Sequence, residues 1–175
     1  FFAPDLPVLH FPDWETLPYD VFSPHQDIIS QRIAALYRLP QLSRGILVVP
    51  ITTALHRLAP KRFLLGGSLV LDVGQKLDVE QMRTRLEAAG YRCVDTVYEH
   101  GEFAVRGALI DLFPMGSDTP YRIDLFDDEI ETLRTFDPET QRSVDKVESI
   151  RLLPAREFPL EKKAVTDFRG RFRER

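Results

Sequence analysis

Two arginines and a phenylalanine carry the most legible chemistry in this sequence, and it is the chemistry of recognition. Arg106 and Gly107 interrupt an apolar stretch, Phe103-Ala104-Val105-Arg106-Gly107-Ala108-Leu109-Ile110-Asp111-Leu112-Phe113-Pro114, that reads as a β-hairpin arm. Eight residues after Pro114, Arg122-Ile123-Asp124-Leu125-Phe126 alternates polar and apolar until Phe126, which falls on the face of Arg122. Tyr121, Ile123 and Leu125 then face a core, while Arg122, Asp124 and Phe126 face out. A large aromatic beside a guanidinium on the polar face of a strand is a typical anchor for a protein partner. Glycine inside a strand marks a bulge or a close backbone approach. A bulge at Arg106-Gly107 reverses the facing parity and puts Arg106 on the face of Leu109 and Asp111. Two readings of Arg106 stay open: a salt bridge to a neighbouring carboxylate, or an outward arginine beside Arg122 and Phe126.

Catalytic patterns are missing from the sequence. Gly66-Gly67-Ser68 lacks the lysine of a phosphate-binding loop, and Gly74-Gln75-Lys76 lacks the upstream glycine. His10, His25, His56 and His100 are scattered, and with Cys93 as the one cysteine no metal-ligand spacing arises. Asp127-Asp128-Glu129 reads as a solvated turn, since Asp is common where a chain reverses. No serine lies in a nucleophile-elbow pattern. The expectation is a protein without enzymatic activity, cofactor or metal. A single cysteine excludes an internal disulfide and fits a reducing cytoplasm.

Composition, 43% hydrophobic and 29% charged over 175 residues, fits a globular protein. No run approaches the roughly 18 apolar residues of a membrane helix. The start, Phe1-Phe2-Ala3-Pro4, lacks an initiator Met and a signal pattern, so a piece of a longer chain is expected. Charge is unevenly spread: residues 68–154 hold 10 Lys/Arg against 18 Asp/Glu, a net of -8, whereas residues 155–175 hold 7 against 4. A domain that grips phosphates needs a basic surface, so an acidic centre disfavours nucleic acid as its main ligand.

The positioning elements follow from caps and periodicity. Ser23-Pro24-His25-Gln26 reads as a helix start with Ser23 as cap, followed by Ile28, Ile29, Ile33, Leu36 and Tyr37 at helical spacing. Ile46-Leu47-Val48-Val49 has the look of a strand buried on both faces of a parallel sheet. Thr52 or Thr53 opens a short helix through Leu58. Residues 1–67 thus resemble part of a larger α/β domain. Past Gly66-Gly67 come a short strand at Leu69-Val70-Leu71, a helix capped by Asp78 and stopped at Gly90, and strands at about 91–98, 102–113, 120–126, 129–136 and 144–152. Residues 68–154 form a compact α+β module, mainly antiparallel. Residues 155–175 add a polar helix at about 160–173. Trp14, among prolines, packs as filler.

Asp13-Trp14-Glu15-Thr16-Leu17-Pro18-Tyr19-Asp20, Ser23-Pro24-His25, Glu99-His100-Gly101-Glu102-Phe103, Arg106-Gly107 with Asp111-Leu112-Phe113-Pro114, and Phe126-Asp127-Asp128-Glu129-Ile130 resemble the N-terminal region of bacterial transcription-repair coupling factors. That region is itself similar to UvrB of nucleotide excision repair. UvrB proper carries a long aromatic-rich hairpin, for which the segment after Pro18-Tyr19 is too short. The resemblance implies a UvrB-like, RecA-like remnant without a nucleotide site in residues 1–67 and 155–175, and a UvrA-binding module in residues 68–154. It places the UvrA contacts on Arg106, Arg122 and Phe126. It also implies a C-terminal domain of the parent factor that masks this face, and contacts to RNA polymerase and double-stranded DNA through an ATP-driven translocase elsewhere in that factor. Two rivals remain: a UvrB-like nucleotide-binding fragment, and a DNA-binding accessory domain resting on Arg169, Arg171, Arg173 and Arg175.

Overall fold

The computed structural model describes residues 5–17, 20–160 and 162–173. Pro18-Tyr19 of the tryptophan motif, the first four residues and Arg175 lie outside them. In chain order the strands and helices are β1 (Val8–His10), α1 (Gln26–Arg38), β2 (Ile46–Val48), α2 (Ile51–Ala54), α3 (Lys61–Gly66), β3 (Leu69–Asp72), α4 (Val79–Ala89), β4 (Arg92–Cys93), β5 (Glu102–Arg106), β6 (Leu109–Leu112), β7 (Tyr121–Phe126), β8 (Glu129–Phe136), β9 (Ser143–Val147), β10 (Ser149–Leu152) and α5 (Lys162–Arg173). The mixture of helices and mostly antiparallel strands is the expected α+β class.

Three sheets divide the strands. β4 to β9 form a six-stranded sheet in sequence order, antiparallel except for the β4–β5 pair. β3 pairs antiparallel with β10, so the end of the module returns to its start. β1 and β2 form a parallel pair. The parallel direction agrees with the sequence, but the expected burial does not. Ile46, Leu47 and Val48 are all exposed: β2 has no strand on its other side among the described residues, and the burial within the pair falls on Leu9 of β1.

One face of the large sheet is the core. Phe103, Ile110, Leu112, Ile123, Ile130 and Leu133 pack there with Met82 and Leu86 of α4, Leu71 of β3, Ile150 and Leu152 of β10, and Ile33 of α1. Full burial of each such side chain contributes about 1.5–3 kcal/mol. α4 forms as read: Asp78 Oδ1 accepts from the Gln81 N–H at 2.8 Å, and Gly90 ends the helix with φ 98°. α1 begins two residues later than expected. His25, not Ser23, is its cap; it is extended, and its Nδ1 accepts from the Asp27 N–H at 3.3 Å. The run 144–152 is two strands, parted at Glu148, whose carbonyl accepts from Val73. Only Arg92–Cys93 of the run 91–98 pairs as strand. α3 was not signalled by any capping side chain, and none caps it.

A buried arginine ties the N-terminal segment to the residues after β10. Arg32 is fully buried. It donates from Nε to Glu157 Oε1 at 2.5 Å, from Nη2 to Oε2 at 3.1 Å, and from Nη1 to the Pro12 carbonyl at 2.5 Å. The rings of Phe11 and Trp14 lie 4.2 and 4.6 Å from its guanidinium. Trp14 also donates to Glu157 at 2.9 Å, so the tryptophan does pack as filler between segments.

Candidate partner-docking face

The second face of the large sheet holds the predicted site residues. Arg106 pairs with Leu109 across the β5–β6 hairpin, leaving Gly107 and Ala108 as a two-residue turn. Gly107 has φ 62°, the positive φ at the first central position that a type II′ turn requires. The expected bulge is therefore a turn, and the expected strand 102–113 is two strands. The consequence for parity is the one foreseen: Arg106 shares a face with Leu109 and Asp111.

That parity joins both arginines to one carboxylate. Asp111 is opposite Arg122 and is 1% exposed. Arg122 donates from Nε to Asp111 Oδ1 at 2.7 Å and from Nη2 to Oδ2 at 3.0 Å, the two-point geometry that guanidinium and carboxylate favour. Arg106 donates from Nη2 to the same Oδ2. The salt-bridge reading of Arg106 is thus realised, and the outward reading survives with it, because its side chain is 48% exposed.

The two arginines differ in what is left to offer. Arg122 is 15% exposed, and its Nη1 is directed to the Gln141 carbonyl at 3.2 Å and Ser143 Oγ at 3.4 Å. Its guanidinium lies over the Phe136 ring at 4.9 Å. The hydrogen bond to Asp111 holds its pKa above the ordinary arginine value. Arg106 has one nitrogen engaged among the described contacts, and about half of its side chain is exposed.

Phe126 ends β7 and is 69% exposed. Asp127, with φ 53°, and Asp128 make the tight turn into β8, and Lys76 Nζ meets Asp128 at 2.8 Å. The acidic run is therefore a solvated turn, as read. At about 3.3 Å per residue Phe126 lies roughly 13 Å along the strand from Arg122. Ile123 and Leu125 are buried and Tyr121 is half-buried, as the alternation required.

Sequence reasoning missed two basic residues on this face. Arg134 of β8 is opposite Arg122, and Lys146 of β9 is opposite Arg134. A regular hairpin would have set Leu133 against Arg122; a bulge in β8, with Glu131 as the extra residue opposite the Asp124–Leu125 step, shifts the register by one. The signal was present: Ile130 and Leu133, three apart, both face the core, which a strand of period two allows only with a bulge. Among the described residues no group of His, Cys, Asp and Glu is arranged to hold a metal ion.

Comparison with known proteins agrees with the motifs. Over 170 residues, 97% of this chain, it is 56% identical to the transcription-repair-coupling factor of Escherichia coli K12. It is 57% identical over 164 residues, 94% of the chain, to that of Haemophilus influenzae Rd, and 32% identical over 154 residues, 88% of the chain, to that of Bacillus subtilis 168. The chain spans 15%, 14% and 13% of the length of these relatives. Residues 69–158 match the UvrB interaction domain, an interval that contains Arg106, Arg122, Phe126, Arg134 and Lys146, and so the chain belongs to the UvrB interaction domain family.

Proposed function

We propose that this chain is the non-catalytic part of a transcription-repair coupling factor that recruits UvrA of nucleotide excision repair to lesions where RNA polymerase has stalled. The observation that carries the reading is the Arg106–Asp111–Arg122 triad, with Phe126 exposed on the same sheet face, inside a matched interaction domain. One buried carboxylate orients two arginines, so the face is organised before a partner arrives, which lowers the entropy lost on binding. Arg106 offers free N–H groups to a UvrA carboxylate. Arg122 holds Asp111 and the β9 approach in place and presents its remaining edge. Phe126 enters an apolar pocket on UvrA.

Residues 68–154 are then the UvrA-binding module, and residues 1–67 with 155–175 belong to a UvrB-like, RecA-like domain. The parallel β1–β2 pair and the Arg32–Glu157 clamp support grouping those two segments. In the longer factor the same face would be covered by its C-terminal domain at rest, and RNA polymerase and duplex DNA would be held by other regions.

Salt separates the contributions in a test. Titration of this chain into purified UvrA should give weaker binding at higher ionic strength. Arg106→Ala should weaken binding and reduce that salt dependence, because an exposed charge is screened. Phe126→Ala should weaken binding and leave the salt dependence intact. Unchanged affinity in both variants would remove the site assignment.

A further inference from the structure

We infer that the docking face continues across the sheet through Arg134 and Lys146, which take carboxylates on the same surface of UvrA. The inference rests on the reading that Arg106, Arg122 and Phe126 dock that protein. Its carrier is the register. Asp111 is opposite Arg122, Arg122 is opposite Arg134, and Arg134 is opposite Lys146. Residues paired this way share a face, and neighbouring strands lie about 4.8 Å apart, so the three cations form a row about 10 Å long.

Like charges directly opposite one another destabilise a sheet. Here three stand in line within a segment whose net charge is -8. Arg122 is neutralised by Asp111. Arg134 is not comparably served: its Nη2 is 3.6 Å from Asp124 Oδ2, and its Nε is buried without a hydrogen-bond partner. Asp124 already accepts from Thr132 Oγ1 at 2.7 Å. Lys146 is exposed on the edge strand and has no acidic partner among the described residues. The Arg134 side chain is 38% exposed and Lys146 is exposed, so both cations are open to an incoming acceptor.

The acceptor that fits is a protein carboxylate. Asp124 lies among the cations on this face, and the segment around them carries a net charge of -8, which disfavours a continuous phosphate backbone. Spaced carboxylates around an apolar pocket match both the row and Phe126. Charges at the rim of such an interface act mainly on the association rate and its salt dependence.

The experiment compares the parent chain with Lys146→Glu, Arg134→Glu and the double reversal, each titrated into purified UvrA across a range of salt, with Phe126→Ala alongside. Lys146→Glu sets a carboxylate opposite Arg134 in place of a like charge, so its unfolding midpoint should not fall below the parent's. The double reversal should slow association by roughly tenfold or more and flatten its salt dependence. The inference is overturned if the parent binds, Phe126→Ala weakens that binding, and the reversals keep the parent rate and salt dependence. It falls together with the docking reading if the parent does not bind UvrA at all. It is also overturned if the reversals leave UvrA binding alone but abolish a shift of labelled duplex DNA, which would make the row a phosphate site.

Discussion

Arg32 with Glu157 and Arg106 with Asp111 are the same chemical pair in opposite circumstances. In the first, both partners are buried, the guanidinium also reaches the Pro12 carbonyl, and two aromatic rings lie against it. In the second, the carboxylate is as buried as Glu157, but the arginine is half exposed and most of its donors are unspent. The first is a closed joint between chain segments. The second is open on one side, and only an open pair has something to give a partner. An arginine–carboxylate pair is therefore evidence of function when one member keeps free donors at the surface, and evidence of architecture when neither does.

The sharpest way to break the contrast is to remove one carboxylate. Glu157→Ala leaves Arg32 charged, buried and without its main partner, which costs about 3–5 kcal/mol. Urea unfolding should show that loss, and a shift under 1 kcal/mol would mean the joint is not closed. Next in size is Phe126→Ala. An anchor ring in a partner pocket contributes at least about 2 kcal/mol, close to thirtyfold in affinity, whereas an exposed side chain contributes little to folding. UvrA affinity should fall with the unfolding midpoint unchanged, the reverse of Glu157→Ala.

Gly107→Ala probes the turn that sets the parity of Arg106. No atom lies near the added methyl, so the cost is the positive φ alone, about 1 kcal/mol. The smallest effect concerns acid. Burial raises the Glu102 pKa, but N–H groups of Tyr98 and Glu99 and the Arg92 guanidinium together outweigh it and hold the pKa below the ordinary value. A depressed folded-state pKa contributes stability that is present above the unfolded value, near 4.3, and is lost as pH falls through the folded one. Glu102→Gln should therefore lower stability at neutral pH and flatten its acid limb below about pH 4, without altering UvrA binding.

The sequence made these regions legible to different degrees, for physical reasons. β7, β8 and α4 were readable because alternation and caps are local signals, and the face of Arg122 and Phe126 followed from alternation alone. Arg106 was placed on the correct face through the wrong device, since a glycine at positive φ serves a bulge and a II′ turn equally well. Arg134 was hidden because its position opposite Arg122 depends on one bulge in its own strand, β8, and Lys146 is placed on the face through Arg134. Arg32 was invisible: its partner is 125 residues away, and nothing near it in the chain marks a helical arginine as core. Ile46 to Val48 were misread as buried because apolar content reports what a strand can cover, not what lies over it.

The central claim is that one exposed arginine and one exposed ring dock UvrA. The direct measurement is the UvrA affinity of this chain and of Arg106→Ala/Phe126→Ala, with matched circular dichroism and unfolding midpoints. The account predicts binding by the parent and a loss of about a hundredfold or more in the double variant. Equal affinity in the two proteins would contradict it.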